Sequence, residues 1–560
     1  IPISEDLSRN EERLKLPIMG QTWSWDATWD FEAMSQYNSI TSLAESPLKE
    51  GLIYAGTDDG LIQVTEDGGD NWKKIEVSSL PGVPERAFVN DIKADLYDVN
   101  TVYVALDNHK YGDFKPYLFK STDKGKTWKS IAGDIPEKHL VWRMVQDHVK
   151  PDLLFAATEY GIFFTIDGGK KWLKLKGGAP TISFRDLVIQ KERNDLVCAS
   201  FGRGFFILDD YSPLREVTEE KLKEEAGMYS IRDAWMFNMS SGAGSLSGSQ
   251  FAAENPQYGA VITYHLAESL ENKETERKKA EKKLVKDKQA LTFPEWETLK
   301  EERLEEKPKV WLTIRDDQGN VVRKIEGSTS KGMHRTAWDL RYPAWGAIDI
   351  HRESSSHGGW SRSGSYVMPG DYTVSISKEE EGKVSELAGP VSFKVVKLFE
   401  GALKGMEDAD ALAFRKDVEV MREALSAALI TLSDAQKKLN AMETALSRMP
   451  QPVDALYEEY YVLKRSLADF REQVYGDPAK QELSEYDYPS VDERLGCASG
   501  GAWNLNYGPT GTQVKCLELA KAQFETLKTG LKTVVEDQLP SFEKKLIEAG
   551  APWMNGMPLK

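Results

Sequence analysis

Four aspartates are the side chains in this sequence that could act as a catalytic acid–base pair. Asp58 and Asp59 follow one strand-like run, and Asp209 and Asp210 follow another. An inverting glycoside hydrolase uses two carboxyl groups roughly 6.5–9.5 Å apart. The sequence cannot supply that separation, and an aspartate that directly follows a strand more commonly caps a turn. The turn-cap interpretation is therefore favoured over the catalytic one.

A second set of polar residues could bind a ligand without transforming it. Each member begins a strand-like run in one of four repeats, and the members are Asn38, Asn90, Arg143 and Arg185. If the repeats surround one axis, these side chains converge at the mouth of the central channel. Trp142 and Arg203 are expected near the same face, where arginines would suit a carboxylate or an acidic peptide. The alternative is that all of them only hydrogen-bond the neighbouring repeat.

Other catalytic and metal-binding patterns are missing from the sequence. The Phe/Tyr-Arg-Ile-Pro arginine motif of sialidases has its nearest counterpart in Phe184-Arg-Asp-Leu, which has no proline. There is no His-x-x-x-His or Cys-x-x-Cys spacing, so no metal site is predicted. Nucleophile-elbow, phosphate-loop and dinucleotide-binding motifs are missing too, so no cofactor is predicted.

The element expected to organise these residues is a turn that occurs three times. Each copy reads Ser/Thr-x-Asp-x-Gly-x-x-Trp, a pattern known as the Asp-box. The aspartate accepts backbone N–H bonds, the glycine adopts positive φ and the tryptophan packs beneath the turn. The key residues are Asp67, Gly69 and Trp72, then Asp123, Gly125 and Trp128, then Asp167, Gly169 and Trp172. The pattern is a structural device, and it predicts architecture more than chemistry.

The segments between the boxes predict a β-propeller. Each repeat contains four strand-like runs, which is the content of one propeller blade. About four blades can be counted, and the last has neither a box nor a fourth strand. We therefore expect an open arc that is completed by blades from elsewhere, either a separate chain or an N-terminal half that was removed.

Two further domains are predicted after the propeller blades of residues 1–226. Residues 227–400 alternate polar and apolar side chains in the manner of an immunoglobulin-like β-sandwich, with a charged, helix-prone insertion at 268–307. Residues 401–560 carry a long heptad pattern that predicts an antiparallel three-helix bundle. Within it, 476–511 is expected to be irregular, and Pro540 is expected to kink or split the last helix.

The composition restricts the partners of the chain. A net charge of −17 argues against nucleic acid and anionic membrane surfaces, and no apolar run approaches the about 20 residues that span a bilayer. The opening residues Ile1–Ser4 do not form a signal peptide, so we expect the chain to begin after processing or inside a longer precursor. Cys198 is expected to be a buried thiol. Cys497 and Cys516 could form a disulfide in an oxidising compartment.

Several longer stretches resemble a known family. They are Asn38–Trp72, the run that begins Asp113-Phe-Lys-Pro-Tyr, the stretch Gly202–Arg215 and Trp338-Asp-Leu-Arg-Tyr-Pro. The family is that of large exported bacterial Asp-box (BNR) repeat proteins, related to the sortilin N-terminal propeller and often labelled glycosyl hydrolases. The resemblance implies that this chain is the C-terminal portion of such a protein. It also implies an extracytoplasmic location: the periplasm, the outer-membrane surface or the medium.

Three functions are consistent with these features. The favoured one is a non-catalytic binding or assembly scaffold of the cell envelope that recognises a protein, peptide or glycan through the propeller. The first alternative is a glycoside hydrolase with paired carboxylates in the propeller cleft. The second is a sortilin-like receptor that binds peptides inside the propeller tunnel.

Overall fold

A computed structural model describes residues 3–17, 21–27, 37–238, 253–350, 364–449, 453–502, 506–555 and 557. The chain divides into two compact units, Ile1–Glu224 and Glu225–Lys560. The first contains the repeats with the Asp-box pattern. The second contains the predicted sandwich and the helical region.

The first unit consists of four antiparallel sheets, each formed from strands consecutive in sequence. Its strands are β1 (Ile40–Glu45), β2 (Ile53–Thr57), β3 (Leu61–Thr65) and β4 (Trp72–Glu76); β5 (Phe88–Ala94), β6 (Val102–Asn108), β7 (Asp113–Ser121) and β8 (Lys129–Ser130); β9 (Val141–Gln146), β10 (Leu154–Thr158), β11 (Gly161–Thr165) and β12 (Leu173–Lys174); and β13 (Phe184–Gln190), β14 (Asp195–Ser200) and β15 (Phe205–Leu208). The first strand of each sheet lies beside the first strand of the next. The unit is therefore a partial β-propeller of four blades, and the fourth blade has three strands within residues 37–238.

The three turns at 65–72, 121–128 and 165–172, called box turns below, form as their sequence predicts. In the first, Asp67 Oδ1 accepts hydrogen bonds from Thr65 Oγ1 (2.7 Å) and from Asn71 N (3.0 Å). A hydrogen bond of 2.8 Å from Asn71 Nδ2 to Asp67 Oδ2 is the largest cause, ahead of these two, that lowers the pKa of Asp67 to about 2. Gly69 has a φ of 114°, which a residue with a Cβ rarely adopts. The turn is thus held together by its own residues and joins the third strand of its blade to the fourth.

The second unit begins with a two-sheet sandwich. Its strands are β16 (Ala226–Met228), β17 (Ala234–Met236), β18 (Ala260–Leu266), β19 (Lys309–Arg315), β20 (Val321–Gly327), β21 (Gly332–Trp338), β22 (Gly370–Glu380) and β23 (Lys383–Lys397). One sheet has the order β16-β18-β21 and the other β17-β23-β22-β19-β20. Alternate residues of both sheets, among them Tyr264, Leu312 and Trp338, fill one shared core. The immunoglobulin-like prediction is confirmed.

Helices make up the rest of the second unit. They are α1 (Lys273–Lys286), α2 (Trp296–Leu304), α3 (Asp408–Ser447), α4 (Asp454–Tyr475), α5 (Pro478–Glu482), α6 (Val491–Ala502), α7 (Gly511–Lys532) and α8 (Leu539–Glu548). Helices α1 and α2 lie in the charged insertion at 268–307, where Arg277 forms hydrogen bonds of 2.7 and 2.8 Å to the Glu302 carboxylate. No helix in the described parts of the chain is both long and apolar enough to span a bilayer.

The C-terminal helices form a bundle around the predicted heptad seam. Met421, Leu425, Leu439 and Met442 of α3 are all buried against α4, α6, α7 or α8. The expectation of irregular structure throughout 476–511 is wrong, because the short helix α5 lies within it, and so does the longer α6. This helix contains three glycines, but its Leu495 and Ala498 are fully buried, so tertiary packing compensates for its low helix propensity.

Two other predictions for the bundle concern Pro540 and the cysteines. A π-helical turn at Thr533–Gln538 directly precedes α8, whose second residue is Pro540, so the helix is disturbed at the predicted place. The predicted disulfide is not formed in the structure, where Cys497 and Cys516 are free thiols. A hydrogen bond with Cys516 is the main reason that the pKa of Cys497 is raised. A bond between them under oxidising conditions stays a prediction.

Candidate binding site at the junction of the third and fourth blades

A β-bulge occurs at the same place in the innermost strand of every blade. In the first blade, Ile40 pairs with Thr57 and Ser42 pairs with Gly56, so Thr41 is the extra residue. The registers of the other three blades leave Asn90, Trp142 and Arg185 unpaired in the same way. Bulges redirect side chains and are common beside binding sites. The four bulge residues are therefore structurally equivalent.

This register corrects the predicted set of equivalent residues. Asn90 and Arg185 occupy the bulge position, but Arg143 is one residue beyond it. Asn38 precedes the first strand altogether, at a φ of 59°. An alignment that matches polar residues cannot detect a bulge, because the extra residue changes the pairing and not the composition. Trp142, predicted as an accessory residue, is the true counterpart in the third blade.

Asn38 and Asn90 each use their side-chain amide in a hydrogen bond to the main chain of another part of the first unit. Asn38 Nδ2 donates to Glu11 O (2.8 Å), and Asn38 Oδ1 accepts from Glu11 N (3.0 Å). Asn90 is buried, and its Nδ2 donates to Val141 O of the third blade (3.0 Å). The side-chain amide of Asn90 is thus used in joining two blades, as the alternative interpretation expected.

Arg143 connects three blades. Its Nη1 donates to Asn90 O and lies 3.5 Å from Asp91 Oδ1, and its Nε lies 3.6 Å from Asp186 Oδ1. Burial raises the pKa of Asp91, and the nearby cations Lys93 and Arg143 oppose that rise. The charge of Arg143 is therefore balanced by carboxylates of the second and fourth blades.

The structure brings Arg185 and Trp142 together in a group that also contains Glu159, Ser183 and Phe201, called the Trp142 cluster below. The Arg185 guanidinium carbon lies 3.5 Å from the Trp142 ring centroid and 5.0 Å from that of Phe201. Glu159 Oε2 accepts from Trp142 Nε1 and from Ser183 Oγ, each at 2.9 Å. Ser183 Oγ also accepts from Arg185 Nε at 3.0 Å. These contacts fix the arginine between two aromatic rings.

The cluster offers aromatic faces more than free positive charge. Phe201 is 70 % exposed, whereas Arg185 Nη2 lies 3.9 Å from Glu159 Oε2. Burial lowers the pKa of Arg185, and the Glu159 charge opposes that change. A carboxylate ligand would have to compete with Glu159 for the guanidinium. Stacking on aromatic rings, together with the polar atoms around them, is suited to sugars and to peptide side chains.

Glu159, Ser183 and Phe201 were missed by the sequence analysis, although a signal for Glu159 exists. In each blade, one residue of the second strand pairs with the residue that precedes the bulge. The next residue along the chain is Asp58, Asp107, Glu159 or Phe201 in the four blades, respectively. An acidic residue at this position in three repeats could have been noticed. Arg203 lies two residues beyond Phe201, in the exposed turn between β14 and β15.

The aspartates considered as catalytic lie in two separate places. Asp59 is fully buried, and its carboxylate accepts from Thr57 Oγ1 and from Arg9 N (2.6 Å). Asp58 Oδ1 accepts from Ser39 N at 2.8 Å, and burial raises its pKa. Both residues lie between β2 and β3, at the end of the first blade that is opposite its box turn. They hold a turn in place.

Asp209 and Asp210 follow β15, so they lie at the box-turn end of the fourth blade. Asp210 Oδ1 accepts from Ser212 Oγ at 2.6 Å, and Asp210 N donates to Asp195 Oδ1 at 2.8 Å. The structure therefore does not bring the two aspartate pairs together. In the described residues, no group of three or more His, Cys, Asp or Glu side chains could hold a metal ion.

No family model matches the chain, and neither does any curated protein. Among solved structures, a GH74 enzyme of Niastella koreensis is similar over 31 % of this chain and 29 % of its own, with 14 % identity and a TM-score of 0.26. YCF48 from Cyanidioschyzon merolae is similar over 30 % of this chain and 52 % of its own, with 16 % identity and a TM-score of 0.23. The GH74 xyloglucanase from Xanthomonas campestris is similar over 62 % and 45 %, respectively, with 12 % identity and a TM-score of 0.26.

The matched part is less than two thirds of each of those three chains. At these identities and TM-scores, the fold assignment rests on the strands of the chain itself.

Proposed function

We propose that the chain is a non-catalytic binding and assembly scaffold whose propeller arc is completed by further blades. The observation that carries the proposal is a difference in exposure between equivalent positions. On the side of a blade that faces the preceding blade, Ile92, Met144 and Leu187 are at most 2 % exposed. Their counterpart in the first blade is Leu43, which is 68 % exposed.

The opposite end of the arc has the same property. On the side that faces the following blade, Ile62, Leu118 and Ile162 of the third strands are at most 1 % exposed. Their counterpart in the fourth blade is Phe205, which is 74 % exposed. The residues are equivalent because Phe205 pairs with Ala199 of the second strand, just as Ile62, Leu118 and Ile162 pair with Gly56, Ala105 and Ala157. Ile207 and Val188 on the same sheet face are also exposed.

Apolar side chains on an exposed sheet face are a strong indication of a protein interface. Because the equivalent residues at the interior junctions are buried by a neighbouring blade, we expect another blade to cover each of these exposed residues. The blades would come from a separate chain or from an N-terminal half of a longer protein. Export to the bacterial cell envelope is part of the proposal and is supported by the resemblance to exported Asp-box proteins.

Ligand recognition is assigned to the Trp142 cluster. It lies at the end of the blades opposite the box turns, where the innermost strands begin. It combines an exposed phenyl ring, a stacked guanidinium and a carboxylate. A protein segment, peptide or glycan could stack on Phe201 and bond with Glu159. The tunnel-receptor alternative is less well supported, since both Arg143 and Arg185 lie near carboxylates.

One observation favours the glycoside hydrolase as the second candidate. Trp142 contacts one carboxylate directly and is linked to a second through a histidine: its Nε1 donates to Glu159, and its ring makes an edge contact of 5.6 Å with the His109 ring. His109 Nδ1 in turn contacts Asp107 Oδ1. Glu159 and Asp107 would be the two carboxylates that a glycosidase uses.

Two measurements decide between these functions. Intact mass of the natively purified protein is expected to reveal additional polypeptide with Asp-box repeats; a stable monomer of this chain alone would contradict the scaffold. Assay of a glycan panel is expected to show binding without cleavage. Hydrolysis that Glu159→Gln or Asp107→Asn abolishes, with the fold retained, would establish the hydrolase instead.

A further inference from the structure

Residues 3–11, called the N-terminal segment below, repeat a contact that is found at the box turns. A Cβ added to Gly125 would lie 2.9 Å from Ile75 Cδ1, and one added to Gly169 would lie 2.8 Å from Ile131 Cβ. At the first box turn, a Cβ on Gly69 would lie 3.2 Å from Ile3 Cβ. Ile3 therefore takes the same place against the first blade that Ile75 and Ile131 take against the second and third.

Two of the three box tryptophans support this equivalence. Trp172 Nε1 donates to Ile131 O at 2.8 Å, and Trp72 Nε1 donates to Ile3 O at 3.3 Å. In both cases the indole binds a carbonyl that lies just outside its own blade. The N-terminal segment thus presents the first blade with the main-chain group that the second blade presents to the third, whereas Trp128 Nε1 of the second blade is buried without a hydrogen-bond partner among the described residues.

Ile75 and Ile131 belong to the outer edge of a complete blade. Ile75 pairs with Ile62 of the third strand in its own sheet. Ile131 N donates to Leu118 O of its own third strand at 2.9 Å. For Ile3, no such third strand exists in the described residues.

The rest of the segment follows the course of an interblade connection. Leu7 is buried, and its carbonyl accepts from Gln63 Nε2 at 2.9 Å. Arg9 Nε donates to Asp59 O at 2.8 Å, and Glu11 pairs with Arg86 at 3.0 Å. The stretch after Ile131 likewise buries Ile135, four residues on, in the core that contains Trp172. The N-terminal segment therefore runs from the box-turn end of the first blade to its other end.

We propose that the N-terminal segment is the outer edge of a further blade and docks a three-stranded antiparallel sheet supplied by an Asp-box polypeptide. The third strand of that sheet pairs with the main chain at Ile3, and its apolar face covers Leu43. The junctions already present bury the equivalents of Leu43 and place Ile75 and Ile131 where Ile3 lies, so the new junction continues the same pattern. The inference rests on the proposed function. It adds that the incoming blade lacks its outer edge, which the N-terminal segment of this chain supplies.

The test uses the Asp-box polypeptide that co-purifies with the tagged full chain as its probe. Deletion of residues 1–11 is expected to weaken its binding at least tenfold, because the shared edge is removed. If the segment only covers the first blade, its deletion should leave the binding of the polypeptide unchanged or make it tighter. That result would overturn the inference.

A point variant guards against misfolding of the deletion. Ile3→Pro removes the N–H that would pair with the incoming strand, and we expect about tenfold weaker binding. Ile3→Val is the control and should bind as the unaltered chain does. Unchanged binding of Ile3→Pro, or a second copy of this chain in place of the Asp-box polypeptide, would contradict the inference. If the full chain captures no such polypeptide and the native protein is no longer than this chain, the proposed function itself fails.

Discussion

The junction between the second and third blades and the junction between the third and fourth use the same bulge position differently. At the first, Asn90 is buried and donates across to Val141 O. At the second, Trp142 turns towards Glu159 and supports Arg185. The bulge residue of an innermost strand can therefore serve two purposes. A small side chain such as that of Asn90 is buried between two blades and joins them. A side chain as large as that of Trp142 contributes to a candidate binding site.

A second comparison, between interior junctions and the open sides of the arc, gives the largest expected effect. Met144→Ala should destabilise the first unit by about 2–5 kcal/mol, because a buried side chain is removed from between two blades. Leu43→Ala, the equivalent change on the open side, should cost less than about 0.5 kcal/mol. Denaturant unfolding, followed on the transition of the first unit, measures both. Equal losses would mean that Leu43 is covered and that the arc is not open there.

Asn90→Ala probes the structural use of the bulge position. The change leaves the buried Val141 carbonyl without its side-chain donor, which should cost about 1–3 kcal/mol. Thr41 is the equivalent residue in the first blade and donates to Val89 O at 2.8 Å, so Thr41→Val is the matched comparison. If Asn90→Ala leaves stability unchanged but reduces ligand binding, the assignment of Asn90 to structure is wrong.

Arg185→Ala probes the other use of the same position. Loss of stacking on Trp142 should cost about 0.5–2 kcal/mol of stability at most, while glycan or peptide binding should fall clearly. Binding curves for Arg185→Ala, with Arg203→Ala as the exposed control, separate the two effects. A large loss of stability with unchanged binding would place Arg185 among the structural residues.

The smallest expected effect concerns pH and the box turns. Hydrogen bonds lower the pKa of Asp67 and Asp123 to about 2 from 3.8. The stabilisation by these ionised carboxylates is therefore complete above pH 4 and is lost as the pH falls towards 2. Acid titration of the first unit, compared with Asp67→Asn and Asp123→Asn, measures it. Identical acid transitions in the variants would show that the box aspartates contribute nothing there.

Local interactions explain why the fold was largely predictable. A box turn is held by bonds between residues at most four positions apart, as from Asp67 to Asn71, so its pattern can be read from the sequence. The heptad seam of α3 is equally local. Helix α6 was missed because its stability comes from the burial of Leu495 and Ala498 by other helices, and its glycines predict the opposite.

The candidate site was only partly predictable, because its residues come from the innermost strands of two blades and from the segments that connect their strands. Trp142 and Arg185 were named in advance, but their equivalence depends on a bulge that changes pairing and leaves composition untouched. Trp142 and Glu159 belong to the third blade, so Arg185 and Phe201 join them only when the fourth blade packs on the third.

The amino-acid sequence alone determined the repeated turns, the strand content of each blade and the helical seam, since each depends on neighbours along the chain. Only the tertiary structure decided which side chains face the next blade and which are left uncovered. Leu43 and Ile92 are similar residues in equivalent strands, and the presence of a sheet beside one and not the other is what separates them.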